Sequence, residues 1–127
     1  MKTILTLSQY PLSTNRLWRT YIDKRKQIAR TILSEEARKF KASANSELKA
    51  QLGKDFVPLS GPLSADIKLY PANNRKQDID NGLKSLLDAL QSAGVVENDK
   101  DFQKITVQRC EPVPPSGRAD VVIEHIK

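Results

Sequence analysis

The sequence predicts a small α/β fold of the α+β type: a mixed sheet of about four strands with a C-terminal antiparallel hairpin, covered by two main helices. Three observations predict it. Short strand-like apolar runs lie at Lys2 to Leu7, Leu63 to Tyr70, Ile105 to Cys110 and Ala119 to Ile126. Apolar residues instead recur at three- and four-residue spacing after Leu17 and again after Asp80. The length of 127 residues is enough for one core and leaves little room for a second, so residues 1–127 are read as a single domain.

In chain order, Lys2 to Leu7 is the opening strand, and Ser8 to Asn15, with Pro11, is a loop. From Leu17, the apolar positions Trp18, Tyr21, Ile22, Ile28, Ala29, Ile32, Leu33, Ala37 and Phe40 predict one long amphipathic helix. Its other face carries Lys24, Arg25, Arg30, Arg38, Lys39 and Lys41, which reads as a solvated exterior or, in part, as a track along a nucleic-acid backbone. The polar stretch Ser43 to Gly61 is expected to hold a frayed helix end and a loop. Leu63 to Tyr70 is a strand stopped by Pro71, and Ala72 to Gln77 is a loop. A second helix is expected from about Asp80 to Ala93, with Leu83, Leu86, Leu87 and Leu90 on one side and Gly94 as its stop. Gly82 falls in its first turn, where glycine costs about 1 kcal/mol against alanine in a full helix. The missing side chain leaves room for a close-approaching backbone or phosphate. The strands Ile105 to Cys110 and Ala119 to Ile126, joined across Pro112 to Arg118, are expected to pair as the closing hairpin.

Composition narrows the function. A formal net charge of +6 points to a polyanionic partner, and the acids gather at one motif while the bases spread around it. Cys110 is the only cysteine, which excludes an intramolecular disulfide and a cysteine-rich zinc site. The single histidine, His125, sits in the last strand and argues against a histidine-activated mechanism. The apolar run at the N-terminus is too short for a signal peptide, and no stretch approaches the roughly 20 apolar residues of a membrane span. A cytoplasmic location and no membrane partner are therefore expected.

The motif is Asp78-Ile79-Asp80-Asn81-Gly82-Leu83-Lys84, followed by Asp88 and Asn98-Asp99-Lys100. Two carboxylates one residue apart repel, and protonation, solvent or a bound cation relieves that repulsion. In an extended approach to the helix they project to the same side. Hard divalent cations such as magnesium prefer such oxygens and keep several waters, so the implied chemistry is phosphodiester hydrolysis. Each residue also has a plain structural reading. Asp80 alone reads equally well as a helix N-cap. Lys84 reads as an i,i+4 partner of Asp80, with Asp88 continuing a solvated stripe, and Asp99 as an ordinary turn residue.

The order Asp78-Ile79-Asp80-Asn81, Lys84, Leu87-Asp88-Ala89-Leu90, Ala93-Gly94-Val95-Val96 and Asn98-Asp99 resembles the RusA family of Holliday junction resolvases. Pro11-Leu12-Ser13-Thr14-Asn15-Arg16-Leu17-Trp18-Arg19 is similar to the family's opening, and the Lys41 to Gly61 region is the least matched. The resemblance implies that Asp78, Asp80 and Asp99 bind one or two Mg2+ ions and that Lys84 is the catalytic or phosphate-contacting lysine. Asp88 is then a supporting acid, and Asn15 and Arg16 contact substrate. Two departures stand out: the basic run before the first aspartate is thinned to Arg75-Lys76-Gln77, and the late acidic pair is Asn98-Asp99. Arg16, Arg19, Arg75 and Lys76 are expected to flank the site and bind nucleic acid. The resulting expectation is a magnesium-dependent endonuclease that resolves four-way DNA junctions in recombination and repair. A junction has two-fold symmetry and needs two opposed cuts, so a homodimer follows. The rival expectation is a non-catalytic basic nucleic-acid-binding domain, in which the acids cap helices and pair with lysines.

Overall fold

A computed structural model describes residues 2–75 and 77–127. Lys76, one of the expected nucleic-acid contacts, lies outside them. Six strands and two α-helices follow in the order β1 (Lys2–Leu7), β2 (Trp18–Asp23), β3 (Ile28–Leu33), α1 (Glu35–Leu52), β4 (Leu63–Tyr70), α2 (Leu83–Ser92), β5 (Phe102–Arg109) and β6 (Arg118–His125). Short 3-10 turns lie at Thr14–Arg16 and Asp99–Asp101.

The main sheet has the order β1-β6-β4-β5. β6 runs antiparallel to both β1 and β4, and β5 runs parallel to β4. The expected mixed four-stranded sheet is therefore present, but its closing pair is arranged differently. β5 and β6 run in opposite directions, yet β4 lies between them, so they do not hydrogen-bond to each other as a hairpin. The cause is α2, which carries the chain back over the sheet and sets β5 beside β4 in a parallel β-α-β unit. Alternation then fixes the faces. Leu5 and Leu7, then Leu63, Ala65, Ile67 and Leu69, then Ala119, Val121 and Ile123 are all buried on one side. Against them pack Phe40, Ala44 and Leu48 of α1 and Leu86, Ala89 and Leu90 of α2.

The largest correction concerns residues 17–40. Trp18 to Leu33 is an antiparallel two-stranded hairpin separate from the main sheet, and the first helix starts only at Glu35. Aromatic and β-branched residues (Trp18, Thr20, Tyr21, Ile22, Ile28, Thr31, Ile32) favour the pleated state. Asp23 then turns the chain: its carboxylate accepts from the amides of Arg25 and Lys26 at 3.0 and 3.4 Å. The three-and-four spacing came from apolar residues that divide between the two faces of a ribbon. Ser34 ends the hairpin and caps α1, its hydroxyl accepting from the Ala37 amide at 3.0 Å. α1 then runs through the stretch expected to fray from Ser43 onward, because Ala44 and Leu48 are needed in the core.

Candidate functional site

The acidic motif leaves the carboxyl end of β4 and leads into α2, the place where open α/β units present ligand-binding loops. α2 begins three residues later than expected, at Leu83. Asp78 to Gly82 forms two overlapping turns, with the Asn81 amide donating to the Asp78 carbonyl and the Leu83 amide to the Asp80 carbonyl, each at 3.1 Å. The expected extended approach is thus replaced by a turn. Gly82, not Asp80, occupies the cap position, and no side chain caps the helix. Asp78 and Asp80 are both exposed, and among the described residues neither has an ion-pair partner.

The turn is held from behind by the loop after β1. The Thr14 amide and hydroxyl both donate to the Asn81 carbonyl, at 2.8 and 3.0 Å. The Ser85 hydroxyl donates to the Leu12 carbonyl at 2.7 Å. Gly82 meets Pro11 so closely that a Cβ there would lie 2.9 Å from the Pro11 Cβ and 3.1 Å from its carbonyl oxygen. The close-approaching group expected at Gly82 is this backbone. Between loop and turn lies a cleft of about 390 Å3 lined by Tyr10, Pro11, Leu12, Ser13, Asn15, Arg16, Gln77 and Asn81. Asn15 and Arg16, the expected substrate contacts, thus share one cleft with the acidic turn. Arg16 is an exposed residue paired at 3.6 Å with Glu36. Arg75 is also exposed, its amide donating to Asn73 at 2.9 Å, whereas Arg19 stands out along β2.

Two residues at this end of the sheet escaped sequence reasoning. Arg109, at the end of β5, donates through its guanidinium to the Gln77 carbonyl beside Asp78. Tyr10 lines the cleft, and burial raises its phenol above the ordinary value, opposed by the nearby Arg109 charge. It therefore remains a neutral hydrogen-bonding group at physiological pH. A parallel β4-β5 pairing would have pointed to Arg109; the expectation of a β5-β6 hairpin hid it.

Lys84 pairs with Asp88 at 3.5 Å, with both side chains about half exposed (53% and 48%). An exposed i,i+4 pair is worth a few tenths of a kcal/mol, so Asp88 ties Lys84 down only weakly. Asp99 is elsewhere. After α2 the chain does fold back to the sheet, as its candidacy required: Val95 and Val96 are buried, and Val96 bridges to Leu59. That return places Asp99 beyond the far end of α2, its amide donating to Gln91 Oε1 at 3.0 Å. A ten-residue helix spans about 15 Å, and among the described residues no three acids, histidines or cysteines cluster to hold a metal. One chain sets Asp78 and Asp80 on the turn whose neighbours Gln77 and Asn81 line the cleft, and leaves Asp99 apart.

The RusA endodeoxyribonuclease family model matches residues 11–124. A protein of Aquifex aeolicus (strain VF5) named crossover junction endodeoxyribonuclease RusA is 40% identical over 86 residues, 67% of this chain and 64% of that relative. A protein of the same name from Enterobacteria phage HK97 is 31% identical over 118 residues, 93% of this chain and 91% of the relative. The chain thus spans under two thirds of the first relative and most of the second, and the match to the family runs through both the cleft-forming loop and the acidic turn: this chain belongs to the RusA family of endodeoxyribonucleases.

Proposed function

We propose that the chain is a magnesium-dependent endonuclease that resolves four-way DNA junctions by paired phosphodiester hydrolysis in recombination and repair, acting in the cytoplasm. The observation that carries this reading is the exposed, uncapping Asp78-Asp80 turn at the carboxyl end of β4, in a basic chain whose relatives are named for junction cleavage. The same observation disfavours the binding-domain alternative, which needs Asp80 as a helix cap.

Exposed carboxylate oxygens fit magnesium, which takes few protein ligands and retains waters. Asp78 and Asp80 would hold it, and when bound it supplies Lewis acidity and an activated water. The protein's own groups do the rest. Lys84 leaves its weak pair with Asp88 and offsets charge developing at the scissile phosphate. Asn15, Arg16, Arg75 and Lys76 bind the flanking backbone.

Asp99 joins this scheme through a second copy. Within one chain α2 lies between it and the turn with Asp78 and Asp80, and no three-acid cluster forms among the described residues, so the third carboxylate of each site is assigned to the partner of a C2 homodimer. Such a dimer presents two sites to the two opposed strands of a junction.

The test is incubation of the purified protein with end-labelled four-way junction, linear duplex and free nucleotides, with and without magnesium. Paired incisions in the junction, dependent on magnesium and absent from the duplex, are expected. Junction binding without incision at any magnesium concentration returns the chain to a binding domain, and nucleotide hydrolysis makes it a different phosphohydrolase.

A further inference from the structure

The β2-β3 hairpin forms a sheet of its own, and its side chains are exposed except for the partly covered Asp23 and Leu33. An isolated two-stranded ribbon is marginal in water, so this element is kept for what its surface does. Its charge says what that is. Residues 16–33 hold six of the 21 basic residues and one of the 15 acidic ones, so this stretch carries +5 of the formal +6. Arg16 and Arg30 sit in exposed pairs with Glu36 and Asp23, each at 3.6 Å. Arg19, Lys24, Arg25 and Lys26 have no ion-pair partner among the described residues.

The charge is also sorted. Register places Tyr21 opposite Arg30 and Arg19 opposite Ile32 on one face, while the alternate pairs, Trp18 with Leu33, Thr20 with Thr31 and Ile22 with Ala29, carry none. Lys24, Arg25 and Lys26 crown the tip, where the chain turns on Asp23 and closes at Gln27 with a left-handed φ of 54°. The root is fixed. The Ser34 amide donates to the Leu17 carbonyl at 2.9 Å and its hydroxyl to the Arg16 carbonyl at 2.5 Å. Thr14, just before that root, holds the acidic turn through Asn81.

We propose that this hairpin is an arm that lies on duplex DNA flanking the scissile phosphodiester, with Lys24, Arg25 and Lys26 on phosphates and the Arg19-Tyr21-Arg30 face toward the groove. The inference rests on the junction-nuclease reading and adds the surface that holds a junction arm. A two-stranded ribbon fits the major groove, and six-residue strands reach about 20 Å, roughly six steps along a DNA strand. The tip contacts are to backbone, so they position the junction without reading its sequence. A second copy is the rival occupant, because Trp18, Ile22, Ile28 and Ile32 are exposed on the same ribbon, but the +5 charge of this stretch is better matched by a polyanion than by another chain of net positive charge.

The test is the triple variant Lys24→Gln, Arg25→Gln, Lys26→Gln in the full chain, compared with wild type for binding to four-way junction and to linear duplex across a salt series. Single-turnover cleavage at saturating enzyme and solution mass by light scattering are read on the same samples. The variant is expected to bind both DNAs at least about tenfold more weakly near 0.15 M salt, with a log-log salt slope shallower by about two to three. Its saturated cleavage rate should stay within about twofold of wild type and its mass should be unchanged, because the tip lies away from the reacting groups. Wild-type affinity and slope in the variant overturn the arm alone, and lost affinity that tracks a lower mass assigns the hairpin to a second copy instead. A wild type that binds duplex through the arm yet cuts nothing sinks the nuclease reading and leaves the arm standing; a wild type that binds neither DNA sinks both.

Discussion

Asp80 stands three residues ahead of the first helical residue and caps nothing, so its charge is free for a ligand. That separates stability from chemistry at a single position. Asp78→Asn and Asp80→Asn should each reduce magnesium-dependent junction cleavage by about 10²-fold or more, the loss of a few kcal/mol of transition-state stabilisation. Unfolding free energy should stay within about 0.5 kcal/mol of wild type, as for other exposed sites. A normal cleavage rate with a lowered melting temperature in Asp80→Asn would restore it to a structural role. Gly82 behaves in the opposite way. A methyl group there runs into the Pro11 side chain and carbonyl, so Gly82→Ala should cost about 1–3 kcal/mol and loosen the loop that carries Asn15 and Arg16. Chemical denaturation and junction affinity measure the two effects; unchanged stability would mean that the loop yields freely. At this scale the motif was legible because adjacent like charges have few structural uses. The turn that replaces the extended approach was not legible, since it depends on Thr14 reaching Asn81 across 67 positions of sequence.

At the scale of elements, Ser34 joins the hairpin to α1 by two opposite uses of one hydroxyl, accepting from the Ala37 amide and donating to the Arg16 carbonyl. Ser34→Ala removes the cap, worth about 1 kcal/mol, and also frees the root of the hairpin. Thermal unfolding should show the lower stability, and Ser34→Thr, which keeps the hydroxyl, should recover most of it. Recovery no better than in Ser34→Ala would mean that the hydroxyl matters little and that the local backbone sets the junction. The strands of the main sheet were legible because their inner positions must alternate to reach one core, as in Leu63, Ala65, Ile67 and Leu69. The hairpin was not. With no core beneath it, burial never selects one face, and its apolar residues fall at spacings that a helix would also satisfy. The β4-β5 pairing was hidden for a different reason: short sequence separation favours a hairpin, and only the crossover through α2 decides for the parallel neighbour.

The whole molecule splits its acidic motif. α2 enters from the turn with Asp78 and Asp80 and leaves toward Asp99, so one protomer offers two carboxylates before the start of the helix and one at its other end. If each site draws its third carboxylate from the partner, Asp80→Asn and Asp99→Asn damage different halves of the same site. Each homodimeric variant then has two damaged sites and should be inactive. A mixed dimer of Asp80→Asn with Asp99→Asn places both lesions in one site and leaves the other intact, so co-folded mixtures should regain nicking on one strand. The regained rate should approach half that of wild type per mixed dimer, while paired incision within one binding event stays rare. A site confined to one chain predicts no recovery at any mixing ratio, because every protomer in the mixture carries a lesion. Strand-specific labelling of the junction separates nicks from paired cuts, and light scattering on the same mixtures establishes whether dimers form. Failure to recover activity in mixtures shown to contain mixed dimers would remove Asp99 from the partner's site.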